Sequence, residues 1–556
     1  MNNLQLPDTT KNGRARAEAL DPRHRPDAAP ASAVELISHG RVLIVGEESG
    51  VLYAAQRLDD DLVATVWVPG DARPTTATVD GLTIVRGGQP QLSGTLGNFR
   101  LSFPASGDGS NPDAIATLAK ACFDLVLDLN DAPMLRREVL PPGYYAPGRD
   151  AYALEDAIAE LPDMRGEFEK PKYFNFDPNI CAHGRRGISG CTRCLDVCPT
   201  LAITSIGETV QVDENICQGF GSCASVCPTG AITYAFPGTR DLLAYLRTVV
   251  VQYGESGGAD PVLLFYDGAS AGPIADEFAQ SLPENALPVE LEEVGSVGMD
   301  TWLACLAYGV RRILILAGAE TPRSIVEALE GQIKVTAKVL EGMGYPGAAV
   351  QLVDISDGKT PAAAVSSDQA IDLARPARFV PPGEKRLLLR TAINHLFAAA
   401  PTRKKVEPLP AGAPFGRIRV NKSACTMCMS CVAVCPTSAL RAGQGLPQLN
   451  FVEWSCIQCG LCETACPEDA IQSEPRFLYD DNERSTPRVL HEEQPMCCVS
   501  CGKPFATRST LDAMMKKLEG HWMFQSKAER RRLEMCDICR VKDMMRDQGG
   551  DGPRSV

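Results

Sequence analysis

Four copies of one short unit punctuate the chain: CPTLAI (198–203), CPTGAI (227–232), CPTSAL (435–440) and CPEDAI (466–471). They come as two pairs, whose members are offset by 29 and 31 residues. Upstream of the second pair the spacing is regular. Cys425, Cys428 and Cys431 precede Cys435-Pro436, and Cys456, Cys459 and Cys462 precede Cys466-Pro467. This is C-x2-C-x2-C-x3-C-P, written twice. Two-residue gaps let three thiolates wrap one face of an iron–sulfide cubane, and in paired runs the fourth cysteine ligates the other cluster. The expected sets are therefore Cys425, Cys428, Cys431, Cys466 and Cys456, Cys459, Cys462, Cys435. Zinc is the rival metal, but it does not require two interleaved runs that each end in Cys-Pro. Such a chain must fold each repeat back onto its partner.

The first pair departs from the pattern twice. Its first run has Cys191, Cys194 and Cys198-Pro199, with Ile188 at the first-cysteine position. Cys181 stands ten residues before Cys191, across the three-glycine loop CAHGRRGISGC. That loop is able to fold back, so a [4Fe–4S] set of Cys181, Cys191, Cys194 and Cys227 is expected. His183 is read as a solvated loop residue, with replacement ligand as the alternative. In the second run, ICQGFGSCASVCPTGAI (216–232), Phe220 occupies the second-cysteine position. The remaining thiolates are Cys198, Cys217 and Cys223. Three thiolates suit a [3Fe–4S] cluster; the alternatives are a [4Fe–4S] cluster with a non-cysteine ligand, or an empty site with Phe220 packed in the core. The cofactor expectation is three [4Fe–4S] clusters, one [3Fe–4S] or atypical cluster, and one zinc ion.

The zinc belongs to the C-terminal end. Cys498-Val-Ser-Cys501 and Cys536-Asp-Ile-Cys539 are two C-x2-C knuckles without Cys-Pro. Two such pairs make a tetrahedral four-cysteine site, the usual form of structural zinc; iron and free thiols are the alternatives. Between them STLDAMMKKLEG reads as a helix with Ser509 and Asp512 in a capping-box-like spacing. Cys497 is an adjacent spare. The run RRR at 530–532 reads as a solvated helix face, or a docking patch for an acidic partner. Cys122 and Cys305 stand apart from the clusters and read as small buried hydrophobes.

Among 556 residues the net charge is −14, which argues against a nucleic-acid binder. Residues 1–34 lack the apolar core of a secretory signal. ILILAGA (313–319) is too short to span a bilayer and suits a buried strand. With 22 cysteines, the expected setting is the reducing cytoplasm, where cysteine clusters mean metal.

Apolar runs alternating with helical segments mark two α/β domains. The first contains RVLIVG (41–46), LVATVWV (62–68), GLTIV (81–85) and DLVLDL (124–129). The second contains VLLFY (262–266), RRILILAG (311–318) and AAVQLVD (348–354), with a helix over 326–343 and a mainly parallel sheet. The expected class is α/β and α+β multidomain. In order it comprises a disordered tail (1–38), an α/β domain (39–165), an irregular dicluster ferredoxin module of bacterial type (166–238), a second α/β domain (239–400), a linker (401–416), a regular dicluster module (417–480) and a zinc-ribbon-like four-cysteine domain (490–548). No G-x-G-x-x-G follows a strand and there is no Walker loop. VGEESG (45–50) reads as a strand-to-helix turn, and no catalytic residue is assigned.

GEFEKPKYF (166–174), CAHGRRGISGCTRCLDVCPT (181–200), CVSCGKPFATRS (498–509), LEGHWMF (518–524) and MCDICRVKDMM (535–545) resemble the large bacterial 4Fe–4S polyferredoxins associated with formate dehydrogenase gene clusters. The resemblance spans most of residues 40–545. It implies a cytoplasmic electron carrier with a redox link to a formate-dehydrogenase-like partner. Phe220 is its departure, because the resemblance leads one to expect cysteine there. The middle domain is similar to iron–sulfur subunits of hydrogenase and heterodisulfide reductase complexes, which act as adaptors, but holds only Cys305. The leading expectation is a relay of single electrons through up to four clusters. The alternatives are a subunit of a larger oxidoreductase and a maturation factor for a molybdenum or tungsten enzyme.

Overall fold

The computed structural model describes residues 6–25, 32–79, 82–102, 121–268, 282–356, 365 and 368–548. The Val/Leu/Ile-rich runs become the parallel strands of two sheets. In the first, the order is Tyr144–Tyr145, Leu125–Asp128, Arg41–Val45, Val63–Val68, Leu82–Gly88 and Gly70–Val79. All neighbours are parallel except the last pair. Arg41–Val45 shows why its sequence is continuously apolar. Val42 and Ile44 enter the core beneath the helices Glu48–Ala55 and Ala151–Glu160, while Leu43 and Val45 enter the core on the opposite face. VGEESG forms the turn between Arg41–Val45 and Glu48–Ala55.

The second sheet is wholly parallel, in the order Ala286–Leu291, Val262–Asp267, Arg312–Ala317, Val350–Asp354. Its faces divide in the same way: Leu263, Phe265, Ile313 and Ile315 line the larger core, and Leu264, Leu314 and Leu316 line the other. The larger core is closed by Thr239–Glu255, Met299–Ala307, Arg323–Glu341 and Lys385–Ala398. Cys305 lies at its centre. Cys122 is half-buried on a short strand, its thiol facing the Gly97 carbonyl at 3.4 Å.

Two expected boundaries differ. The segment expected as a disordered tail is helical over Lys11–Ala19 and extended over Ala33–Ser38. Its composition is polar, but Ala15 and Ala19 enter the middle domain's core, and the buried Arg16 guanidinium donates to the carbonyls of Pro7, Pro283 and Ala286. Thr9 and Thr10 bind Glu284. Ala33–Ser38 pairs antiparallel with Gly166–Pro171, tying the chain's start to the entrance of the first cysteine module. The expected linker at 401–416 is also partly ordered into sheet: Val406–Pro408 pairs with Ile471–Leu478 and buries Glu407.

The first domain is fastened by one carboxylate. Asp124 is fully buried and accepts from the backbone N–H groups of His39 and Arg41, and from the Arg41 guanidinium. Burial raises its pKa, but these donors outweigh burial and hold it below the ordinary value. Asp124→Ala should destabilise this domain by about 2–4 kcal/mol, because two backbone donors and a guanidinium lose their acceptor. The native carboxylate contributes stability above its unfolded pKa of about 3.9 and loses it as pH falls through the lower folded value. Urea titrations of wild type and variant at pH 7 and pH 3 should therefore converge at the acid end.

Candidate functional site

Each cysteine module closes on itself by pairing its first strand with its last. Gly416–Val420 pairs with Ile471–Leu478, and Phe174–Phe176 pairs with Ile232–Tyr234. This brings the second Cys-Pro unit beside the first cysteine run. The loops repeat in backbone conformation as well as in sequence. Three residues after each Cys-Pro cysteine the chain turns left-handed, at Leu201, Gly230, Ser438 and Asp469, with φ between 46° and 77°. Within the cysteine runs the left-handed positions are Met427 and Met429, Gln458 and Gly460, and Gly219 and Gly221. The run that carries Phe220 thus keeps the loop geometry of the complete runs.

The thiols gather into the four sets. Cys431 is pushed up to about 12 by burial and by Cys425, Cys428 and Cys466. Cys462 is raised by burial and by Cys456, Cys459 and Cys435. Cys194 is pushed up to about 12 by burial and by Cys227, Cys191 and Cys181. Cys223 is raised by burial, then by Cys217 and Cys198. In every set one cysteine arrives from the partner repeat. Three of the sets line small cavities. The cavities are about 20 Å³ beside Cys435, Cys456, Cys459 and Cys462, about 20 Å³ beside Cys181, Cys191, Cys194 and Cys227, and about 30 Å³ beside Cys198, Cys217, Cys223 and Phe220.

Cys181 reaches its set through a hairpin, Gly184–Arg185 against Ile188–Ser189, tightened by Cys191 N–H donating to the Ala182 carbonyl. Ile188 therefore serves the turn. His183 is not solvated: it is 3% exposed, with Nδ1 2.9 Å from the Cys191 carbonyl and Nε2 2.7 Å from Ser205 Oγ. Both ring nitrogens are engaged, one on the Cys191 carbonyl and one on the strand Ile203–Ser205, so the ring braces the loop against its neighbour. Phe220 lines its cavity and also packs against the large core of the middle domain. Gly221 lies so close to Ser296 of that domain that a Cβ would fall 2.5 Å from its Cα.

The sets follow one another. Cys194 acts on Cys223 within the first module, and Cys431 on Cys462 within the second. Across the module boundary Cys191 acts on Cys459. At that boundary Arg193 lies 3.8 Å from Cys191 Sγ and donates to the carbonyls of Ile457 and Gly412, while Arg185 donates to the Cys435 carbonyl. The end at Cys198, Cys217 and Cys223 is enclosed: Gln218 bonds the Leu140 carbonyl and Lys170 the Cys217 carbonyl. At the other end Cys428 is exposed.

Beyond that end lies the C-terminal quartet. The sulfur atoms of Cys498, Cys501, Cys536 and Cys539 fall within 4.8 Å of one another, an arrangement that suits a metal ion. Burial opposes ionisation of Cys498, but N–H groups of Cys536, Ser500 and Cys501 bring it down to about 6. Cys497 is exposed and outside the quartet. The intervening helix is Arg508–Lys517, capped by Thr507 rather than Ser509, because the Thr507 hydroxyl accepts from Thr510 N–H. The capping box in this segment is Ser526 with Glu529, at the head of the helix bearing Arg530, Arg531 and Arg532. Thr510 and Thr507 both donate to the Thr426 carbonyl, so the quartet's domain rests beside the Cys425 run.

Residues 417–468 match a family model described as a 4Fe-4S dicluster domain, and residues 188–231 match a second model of the same description. No curated protein matches the chain. The chain carries two ferredoxin-type 4Fe-4S dicluster domains within a mixed α/β fold, with a C-terminal four-cysteine cluster. The residues fit iron–sulfur clusters: buried thiols crowd cavities where mutual repulsion disfavours thiolate, a donor set that a polynuclear cation relieves. No helix among the described residues is long and apolar enough to cross a membrane.

The module boundary depends on Gly190, whose Cβ would lie 2.6 Å from Leu461 Cγ. Gly190→Ala should force Leu461 aside and separate the two inner sets. Hydrogen exchange in 188–194 and 456–462 should quicken, while the first α/β domain stays protected.

Proposed function

We propose that this chain is an electron-transfer protein that passes single electrons along one line of four clusters. The clusters follow the order Cys198/Cys217/Cys223, then Cys181/Cys191/Cys194/Cys227, then Cys435/Cys456/Cys459/Cys462, then Cys425/Cys428/Cys431/Cys466. The observation that carries this reading is the Arg193 bridge: its guanidinium lies 3.8 Å from Cys191 Sγ and donates to the Ile457 carbonyl, next to Cys456, so the cysteine runs of the two modules adjoin. The clusters would supply one-electron redox chemistry; the chain holds them in series, buries Cys227, Cys456 and Cys462 of the inner sets and exposes one end at Cys428. Three sets have four thiols and are read as [4Fe–4S]. The set with Phe220 is read as [3Fe–4S], which the retained loop geometry, the cavity beside the three thiols and the missing fourth thiol support. The C-terminal quartet is read as structural zinc that braces the exposed end.

The sequence resemblance supports a formate-dehydrogenase-like enzyme as the redox partner and the cytoplasm as the compartment. In this reading the domains meet near residues 165, 238, 416 and 480, and Lys11–Ala19 belongs to the middle domain.

EPR of anaerobically purified protein, with iron, sulfide and zinc counted on the same sample, tests the assignment. A near-isotropic three-iron signal as isolated, and coupled reduced signals after dithionite, are expected. Phe220→Cys should abolish the three-iron signal and add one iron. Absence of any three-iron signal, with iron and sulfide counts matching four cubanes, would overturn it. Cys536→Ser should lose the zinc, leave iron unchanged and open residues 498–548 to trypsin. Reduction by formate in the presence of a formate dehydrogenase checks the partner.

A further inference from the structure

Two consecutive cations stand at the junction of the modules, on the first residues of the helix Lys385–Ala398. Lys385 Nζ donates to the carbonyls of Ala224 and Ser225, at 2.9 and 2.6 Å, immediately before Cys227, and lies 3.7 Å from Asp300. Lys385, Arg386 and Cys227 line one cavity at the junction. Arg386 points the other way. Its guanidinium faces the rings of Trp454 and Phe415 at 4.5 and 4.9 Å and donates to the carbonyls of Pro414 and Trp454, the latter two residues before Cys456.

Arg386 is 9% exposed and makes no ion pair among the described residues. A buried charge without a counter-charge is expensive. The Trp454 carbonyl that it binds belongs to the turn leading into Cys456, a member of the inner set. An anionic cluster held there would supply the counter-charge that the position lacks. Lys385 relates in the same way to Cys227, although Asp300 offsets part of its charge.

We propose that Lys385 and Arg386 are positioning residues that raise the reduction potentials of the two inner clusters above that of the exposed outer cluster. This deepens the electron-relay reading and rests on it. Accepting one electron adds one negative charge to a cluster, and a fixed cation nearby stabilises the reduced form. An electron delivered by a low-potential protein at the Cys428 end then runs inward and rests at the junction.

The test is an EPR-monitored redox titration of the full chain and of Lys385→Met, Arg386→Met and the charge-keeping Arg386→Lys. In wild type the first reduced [4Fe–4S] signal should be insensitive to a soluble gadolinium chelate, which relaxes only the exposed outer cluster. Each Met variant should lower the reduced-to-oxidised ratio of one inner cluster at least tenfold at a fixed poise, equivalent to about 59 mV for one electron. Arg386→Lys should restore it, and the outer cluster should not move. A first signal broadened by gadolinium, or unshifted inner potentials in the Met variants, would overturn the proposal. If a variant fails to fold, the wild-type gadolinium result decides. Iron and sulfide too low for four clusters would instead defeat the relay reading.

Discussion

Everything in the two cysteine modules depends on a crossing. No run of three cysteines encloses its own cavity; a cysteine from the partner repeat completes it. Neither half of a module is then complete alone, and strand pairing of first with last segment is the condition for both sets at once. The α/β domains extend the same logic. The helix at Lys385, the Arg193 bridge and the close approach of Gly190 to Leu461 hold one module against the other. Here the domains act as a frame whose purpose is a short distance between buried thiols.

Much of this was legible because it is periodic. Cysteine spacing pointed to the thiols that the fold brings together, and continuous apolar runs identified parallel strands. Ala286–Leu291 escaped because Pro288 interrupts it, which is tolerated at the edge position it occupies. The N-terminal helix escaped because its polar composition conceals two alanines and one arginine that are buried against the middle domain, with the Arg16 partners Pro283 and Ala286 lying 267 and 270 residues away. His183 was misread because nothing local announces that Ser205 lies within reach. Such errors share one cause: the decisive neighbour is distant in sequence.

The junction cations were also invisible at first reading, yet GEKRLLLR carries a hint. Lysine and arginine at the start of a helix oppose its dipole, which favours acidic groups there. A residue that local preference disfavours calls for a compensating interaction elsewhere. Lys385 and Arg386 find theirs in backbone carbonyls and aromatic faces.

The left-handed turns have a consequence for how such chains change. Because Gly219 and Gly221 hold the bend without help from residue 220, that position is released from shaping the loop. Its side chain is free to answer to the neighbouring domain, and Phe220 does so by packing against that core. Ligand number and architecture thereby become separately inheritable. One codon is enough to exchange a metal contact for a domain contact, and a lineage is able to retune its wire without rebuilding the scaffold.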